Sequence, residues 1–123
     1  MKPFNFVTMT TSELVERFAA IGVEEDQALR VDDLRRYKRL AMQMRAIDEE
    51  LKGRPGDQRR SLLALYDHPN FQVRLMAAKL TLAIAPEAAR RMLELIYQRR
   101  HQPQSGDAGM CLSMLDRGAF VPK

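Results

Sequence analysis

The stretch from Leu62 to Ile84, LLALYDHPNFQVRLMAAKLTLAI, constrains the fold more than any other part of the chain. It reads as the apolar end of one helix, a turn built on Asp67, His68, Pro69 and Asn70, and a second helix capped by Asn70 and running to about Ile84. On a helical wheel Val73, Ala77, Leu80 and Ile84 fall on one side, and Leu75, Ala78 and Leu82 fall nearly opposite. Arg74 with Thr81 on one flank, and Lys79 on the other, are the clearly polar positions. A helix that is apolar on two sides lies between neighbours. A single pair of helices cannot meet that demand, whereas a stack can.

The rest of the chain follows the same helical period. Residues 1–9 contain Pro3, Phe4 and Phe6 and read as an extended arm whose two aromatics pack on the domain. A helix starts near Thr10. Thr10 and Glu13 have capping-box spacing, and Met9 and Leu14 have staple spacing. Leu14, Val15, Phe18 and Ile21 form its inner face, and Gly22 is expected to weaken or bend it. The acidic cluster Glu24-Glu25-Asp26 can begin a further turn. From Asp33 to Lys52, Leu34, Tyr37, Leu40, Ala41, Met44, Ile47 and Leu51 share one face. Arg35, Lys38, Arg39, Gln43, Arg45, Glu49 and Glu50 occupy the other. Gly53 to Gly56 then stops the helix.

Asp57 is expected to cap a third helix with Leu62, Leu63 and Tyr66 inward. Pro86 opens a fifth helix, where its missing N–H costs nothing. Asp107 is expected to cap a short last helix holding Cys111, Leu112 and Leu115, ended by Gly118, with HQPQSG before it as a loop. No stretch reads convincingly as a strand. The expectation is a single all-α domain over residues 1–123, an α-α superhelix of about six antiparallel helices in three stacked hairpins. Its parts are the arm at 1–9, a hairpin over 10–52 and two hairpins over 57–118.

The turn carries a resemblance. An acidic–Pro–polar–x–x–Val–Arg turn followed by alanines is shared by HEAT-type helical repeats, and here it reads Asp67-His68-Pro69-Asn70-Phe71-Gln72-Val73-Arg74 with Ala77 and Ala78. The chain therefore resembles HEAT/armadillo-like repeat proteins. Only about residues 60–84 match clearly, and Glu87 to Arg117 is a weaker copy. In HEAT arrays the acidic residue and the Arg often link neighbouring turns. Asp67 stands one position early and His68 takes the usual place. Taken whole, ELVERFAAIG at Glu13 to Gly22 and DHPNFQVRLMAA at Asp67 to Ala78 also resemble a family of small bacterial proteins of unassigned function. The resemblance implies a scaffold that binds a partner and brings no catalytic residue with it. Small helical-repeat proteins of this size include immunity proteins that neutralise toxins, which is analogy at the level of the fold.

Charge and composition narrow the classes. At 46% apolar and 29% charged residues the chain is globular rather than disordered. No apolar run approaches the roughly 20 residues that span a bilayer, and Glu13, Glu16 and Arg17 argue against a secretory signal. The single cysteine, Cys111, excludes an internal disulfide framework and fits a reducing compartment. A cytoplasmic protein without membrane contact is expected. The +4 charge is uneven: residues 1–52 carry nine Lys/Arg against ten Asp/Glu, and residues 53–123 carry eleven against six.

The search for chemistry finds little. His68 and His101 have no Cys or His at ligand spacing, there is no Gly-rich phosphate loop, and no G-x-S-x-G elbow occurs. Neither metal, cofactor nor catalytic residue is assigned. Cys111 reads as a buried small apolar residue, His68 as structural, and Asp48-Glu49-Glu50 as a solvated face. The basic residues remain: Arg35, Lys38, Arg39 and Arg45 on the long helix, and Arg59, Arg60, Arg74, Arg90, Arg91, Arg99 and Arg100 beyond it. The reading is a non-enzymatic protein-binding module, an immunity or adaptor protein in its sharpest form, with Arg35, Lys38, Arg39, Arg74 and Lys79 as candidate partner-binding residues. The alternative is a nucleic-acid-associated protein using the basic C-terminal half. Oligomeric state is not legible.

Overall fold

A computed structural model describes residues 5–123. The described chain is all-helical: five α-helices and one 3₁₀ helix, without strands. It divides into two compact units, Met1–Ser61 and Leu62–Lys123. No described helix is long and apolar enough to cross a membrane.

In the first unit α1 (Thr11–Arg30) packs against α2 (Leu34–Gly53). The capping box at Thr10 is formed in full. The Glu13 N–H donates to Thr10 Oγ1 at 3.0 Å, and the Thr10 N–H donates to Glu13 Oε1 at 2.8 Å. The helix continues unbroken past Gly22, which is buried, and includes the acidic cluster. Gly22 does not end the helix; packing of Leu14, Phe18, Ile21 and Ala28 holds it on both sides of that position. Asp33 caps α2, accepting from the Arg36 N–H at 3.1 Å. Leu40, Met44, Ile47 and Leu51 are buried as the periodicity requires. Leu34 does not join them: it is 59% exposed at the first helical position, where the chain has only just left the turn.

Phe4 lies outside the described residues. Phe6 is buried. The arm is held by Arg54, just past α2, which donates to the Phe6 carbonyl at 3.2 Å, the Met9 carbonyl at 2.6 Å and Thr11 Oγ1 at 3.2 Å. Arg54 also pairs with Glu50 at 2.8 Å. A charged donor shared among two carbonyls, a hydroxyl and a carboxylate is a strong tether.

The expected third helix is a 3₁₀ helix, Gln58–Asp67. Its buried residues are Arg59, Leu62 and Leu65; Leu62 is inward as expected, Leu63 is only half-buried, and Tyr66 is half-buried against the core of the second unit. The reason is the period: at three residues per turn, positions 59, 62 and 65 eclipse one another. Asp57, at φ +50°, precedes it and receives the Arg59 backbone N–H and guanidinium.

In the second unit α3 (Phe71–Thr81), α4 (Pro86–Arg99) and α5 (Gln104–Asp116) all pack on one another. Asn70 caps α3, accepting from the N–H groups of Gln72 at 2.9 Å and Val73 at 3.2 Å. Leu75 and Leu82, 1% and 4% exposed, join Ala78, Ala89, Leu93, Ile96, Ala108 and Cys111 in one core. Val73 and Ala77, on the other side of α3, are fully buried too.

α3 ends at Thr81, three residues short of the expected Ile84. Thr81 is buried rather than a polar flank. Its hydroxyl bonds the Ala77 carbonyl at 2.8 Å and lies 2.6 Å from the Tyr66 hydroxyl. The last helix begins at Gln104, so Asp107 is not its cap. Ser105 donates from Oγ to the Ile96 carbonyl at 2.7 Å, and the Gln104 side-chain amide donates to Gln72 Oε1 at 3.0 Å inside the core. These tertiary bonds pull the first turn into the helix, and Asp107 pairs with Lys79 instead.

Candidate functional site

The helical period divides the cations of α2 into two populations. Arg36 points back to α1 and donates to Glu24 at 3.2 Å and Gln27 at 3.4 Å. Arg35, Lys38, Arg39, Met42, Arg45, Glu49 and Lys52 lie on the opposite side and are all exposed. At 100° per residue they occupy one arc, over roughly 25 Å of helix. None of the five cations makes an ion pair or side-chain hydrogen bond with a described residue. Met42 sits among them, 60% exposed, and Val31 and Leu34 are exposed at the start of the helix.

Other cations are held by carboxylates of the chain. Within the first unit Asp26 holds Arg30 at 3.2 Å, Glu50 holds Arg54, and Asp57 holds Arg59 at 2.7 Å. The Arg59 bonds keep the Asp57 carboxyl below its ordinary range, and the same bonds raise the Arg59 pKa. Asp48 is different. Burial pushes its carboxyl upward against the opposing pull of Arg59, and its Oδ1 has no hydrogen-bond partner among the described residues.

In the second unit Lys79 pairs with Asp107 at 3.2 Å, and Arg90 pairs with Asp116 at 2.8 Å and Glu94 at 3.4 Å. Arg74 donates from Nε to the His68 carbonyl and lies 5.3 Å from the centre of the Phe71 ring. The His101 ring stacks on Phe71 at 4.6 Å. His68 Nδ1 accepts the Asn70 N–H at 3.1 Å, which makes it part of the turn. Burial raises the pKa of the Cys111 thiol, disfavouring the thiolate. No group of three or more His, Cys, Asp or Glu among the described residues could hold a metal ion.

The five residues singled out from sequence therefore separate. Arg35, Lys38 and Arg39 stand together on the outward face of α2. Arg74 and Lys79 are each engaged by groups of their own unit. Arg45, Lys52 and Met42 complete the α2 face. Arg45 was visible in the basic stripe, and Lys52 falls on the same arc, but Met42 carries no charge signal and shows itself only by exposure.

The sequence model of a family described as "Domain of unknown function (DUF2019)" matches residues 12–116. The crystal structure of the protein RPA1889 from Rhodopseudomonas palustris CGA009 is similar, with a TM-score of 0.95 and 53% identity over 97% of this chain and 98% of that one. No curated protein matches this chain.

Proposed function

This chain belongs to the DUF2019 family, and we propose that it works as a non-enzymatic binding module whose outward α2 face docks an acidic partner protein. The observation that carries this reading is the contrast among its cations. Arg30, Arg36, Arg54, Arg59, Lys79 and Arg90 each hold a carboxylate of the chain itself. Arg35, Lys38, Arg39, Arg45 and Lys52 hold none among the described residues. A row of five cations outside any ion pair, with Glu49 as the one carboxylate on the same arc, raises the encounter rate with an oppositely charged surface. The exposed Met42 supplies an adaptable apolar contact at the centre of the row. A HEAT-like stacking of the helices and an adaptor or immunity role both accord with such a face, since helical scaffolds bind through exposed helices.

A photo-crosslinking residue at position 42, introduced in the native host, tests the proposal. The expected result is a discrete adduct with one acidic protein, lost when Arg35, Lys38 and Arg39 are all changed to Glu. Adducts that persist in the charge-reversed variant would refute it. A nucleic acid is the competing occupant. Titration with duplex and single-stranded DNA at low and high salt should show no specific binding, whereas tight binding with a steep salt slope would transfer the face to a phosphate backbone.

A further inference from the structure

A cleft of about 390 Å³ opens beside the end of α4 and the start of α5, lined by Tyr97, Gln98, Arg100, Gln102, Ser105 and Gly106. That volume lies within the range of small-molecule sites. No acidic side chain is among its lining residues. Two of its acceptor-bearing side chains are already engaged. Gln102 Oε1 accepts the Gly106 N–H at 3.0 Å, and Ser105 Oγ donates to the Ile96 carbonyl at 2.7 Å. This leaves the Gln102 amide nitrogen and the Arg100 guanidinium as donors without an acceptor among the described residues. Arg100 stands at φ +57° as the left-handed cap of α4.

Tyr97 makes the aromatic wall. Its ring lies against Gly109 of α5 so closely that a Cβ there would come within 2.7 Å of it. Tyr97 as a residue is nevertheless 55% exposed. The absent side chain at Gly109 thus seats a half-exposed aromatic beside a donor-rich cleft.

We infer that this cleft binds a small planar molecule carrying an oxyanion, an aryl phosphate or aryl carboxylate, with Arg100 and Gln102 holding the oxyanion and Tyr97 the ring. Guanidinium and amide donors together match two oxygens of such a group, and the tyrosine offers its π surface to the planar body. This site is separate from the α2 face and stands whether or not that face binds a protein.

The test is a titration of the full chain followed by ¹⁵N–¹H correlation spectra, with phenyl phosphate, inorganic phosphate and benzyl alcohol as probes. Phenyl phosphate should give saturable shifts centred on Tyr97, Gln102 and Gly106, with an affinity of roughly millimolar order. The other two probes should bind at least about tenfold more weakly, because each lacks one of the two contacts. Arg100→Gly suits the backbone at that position, so it should keep the thermal melt of the parent while weakening phenyl phosphate by about tenfold or more. Gly109→Ala displaces the Tyr97 ring and should weaken phenyl phosphate without changing the response to inorganic phosphate. No saturable shift up to about 10 mM, shifts centred elsewhere, or undiminished binding by Arg100→Gly would overturn the assignment. Inorganic phosphate binding as tightly as phenyl phosphate would overturn the aromatic part of it.

Discussion

Arg74 closes the first turn of α3 by donating from Nε to the carbonyl of His68, six residues earlier. The resemblance to HEAT turns assigns such an arginine to an acidic side chain. Here a backbone carbonyl is the acceptor and the Phe71 ring is the second contact, because His68 stands where the acidic residue usually does. Arg74→Ala should therefore destabilise the protein by about 1–3 kcal/mol, from a lost charged hydrogen bond and a lost cation–π contact. Asp67→Ala should change stability by less than about 0.5 kcal/mol. Urea midpoints of the two variants check this, and equal losses would restore the side-chain pair.

Burial on both sides of α3 makes a second prediction. Leu75 is 1% exposed and packs in the α3–α4–α5 core. Leu75→Ala should cost about 2–5 kcal/mol. Leu34 lies on the expected inner stripe of α2 yet is exposed, so Leu34→Ala should stay within about 0.5 kcal/mol of the parent. Chemical denaturation of both variants measures the difference.

Asp48 gives a pH signature. Its folded pKa is raised above 3.8 by burial, so the folded state binds its proton more tightly than the unfolded state does. Ionising it in the fold is unfavourable. The penalty is absent below 3.8, grows as pH rises from there through the folded value, and is complete above it. Asp48→Asn removes this titration and should be more stable than the parent at pH 7. The advantage should fade as pH falls toward 3.8. Asp57 acts in the opposite sense. The Arg59 bonds lower its pKa, so its contribution is present above 3.8 and is lost as pH falls through the folded value. Thermal melts of the parent and both Asn variants across that window separate the two carboxyls.

Cys111 is buried, and its pKa is raised by desolvation. Little thiolate is present near neutral pH, and reagent must wait for the helix to open. Alkylation by iodoacetamide should be slow in the native protein and fast in urea. Comparable rates in the two states would contradict the burial.

Local signals were readable wherever the chemistry is local. Thr10, Asp33 and Asn70 cap their helices within three residues, and the inner faces of α1 and α3 follow from spacing. The errors occur where distant partners decide. Asp107 looks like a cap, but bonds from Ser105 to Ile96 and from Gln104 to Gln72 accompany a helix that starts four residues earlier, with Pro103 in the cap position. Thr81 looks like a polar flank until Tyr66 and the Ala77 carbonyl take its hydroxyl. Leu62 and Leu65 carry a three-residue period that a search for α-helix misses. For the candidate surface, the row of cations on α2 was plain. Which cations were already neutralised was not, because the carboxylates that engage Arg74's neighbour Lys79, or Arg90, lie 28 and 26 residues away.

A charge swap across the proposed interface tests the central claim most directly. With the crosslinked partner in hand, its affinity is measured by titration calorimetry for the parent chain and for the variant with Arg35, Lys38 and Arg39 all changed to Glu. It is then measured again with the acidic residues of the partner's docking segment changed to Lys. The account predicts that the first change lowers affinity by about a hundredfold or more and that the compensating change restores most of it. Equal affinity for parent and reversed chain, or a loss that compensation does not repair, would contradict it.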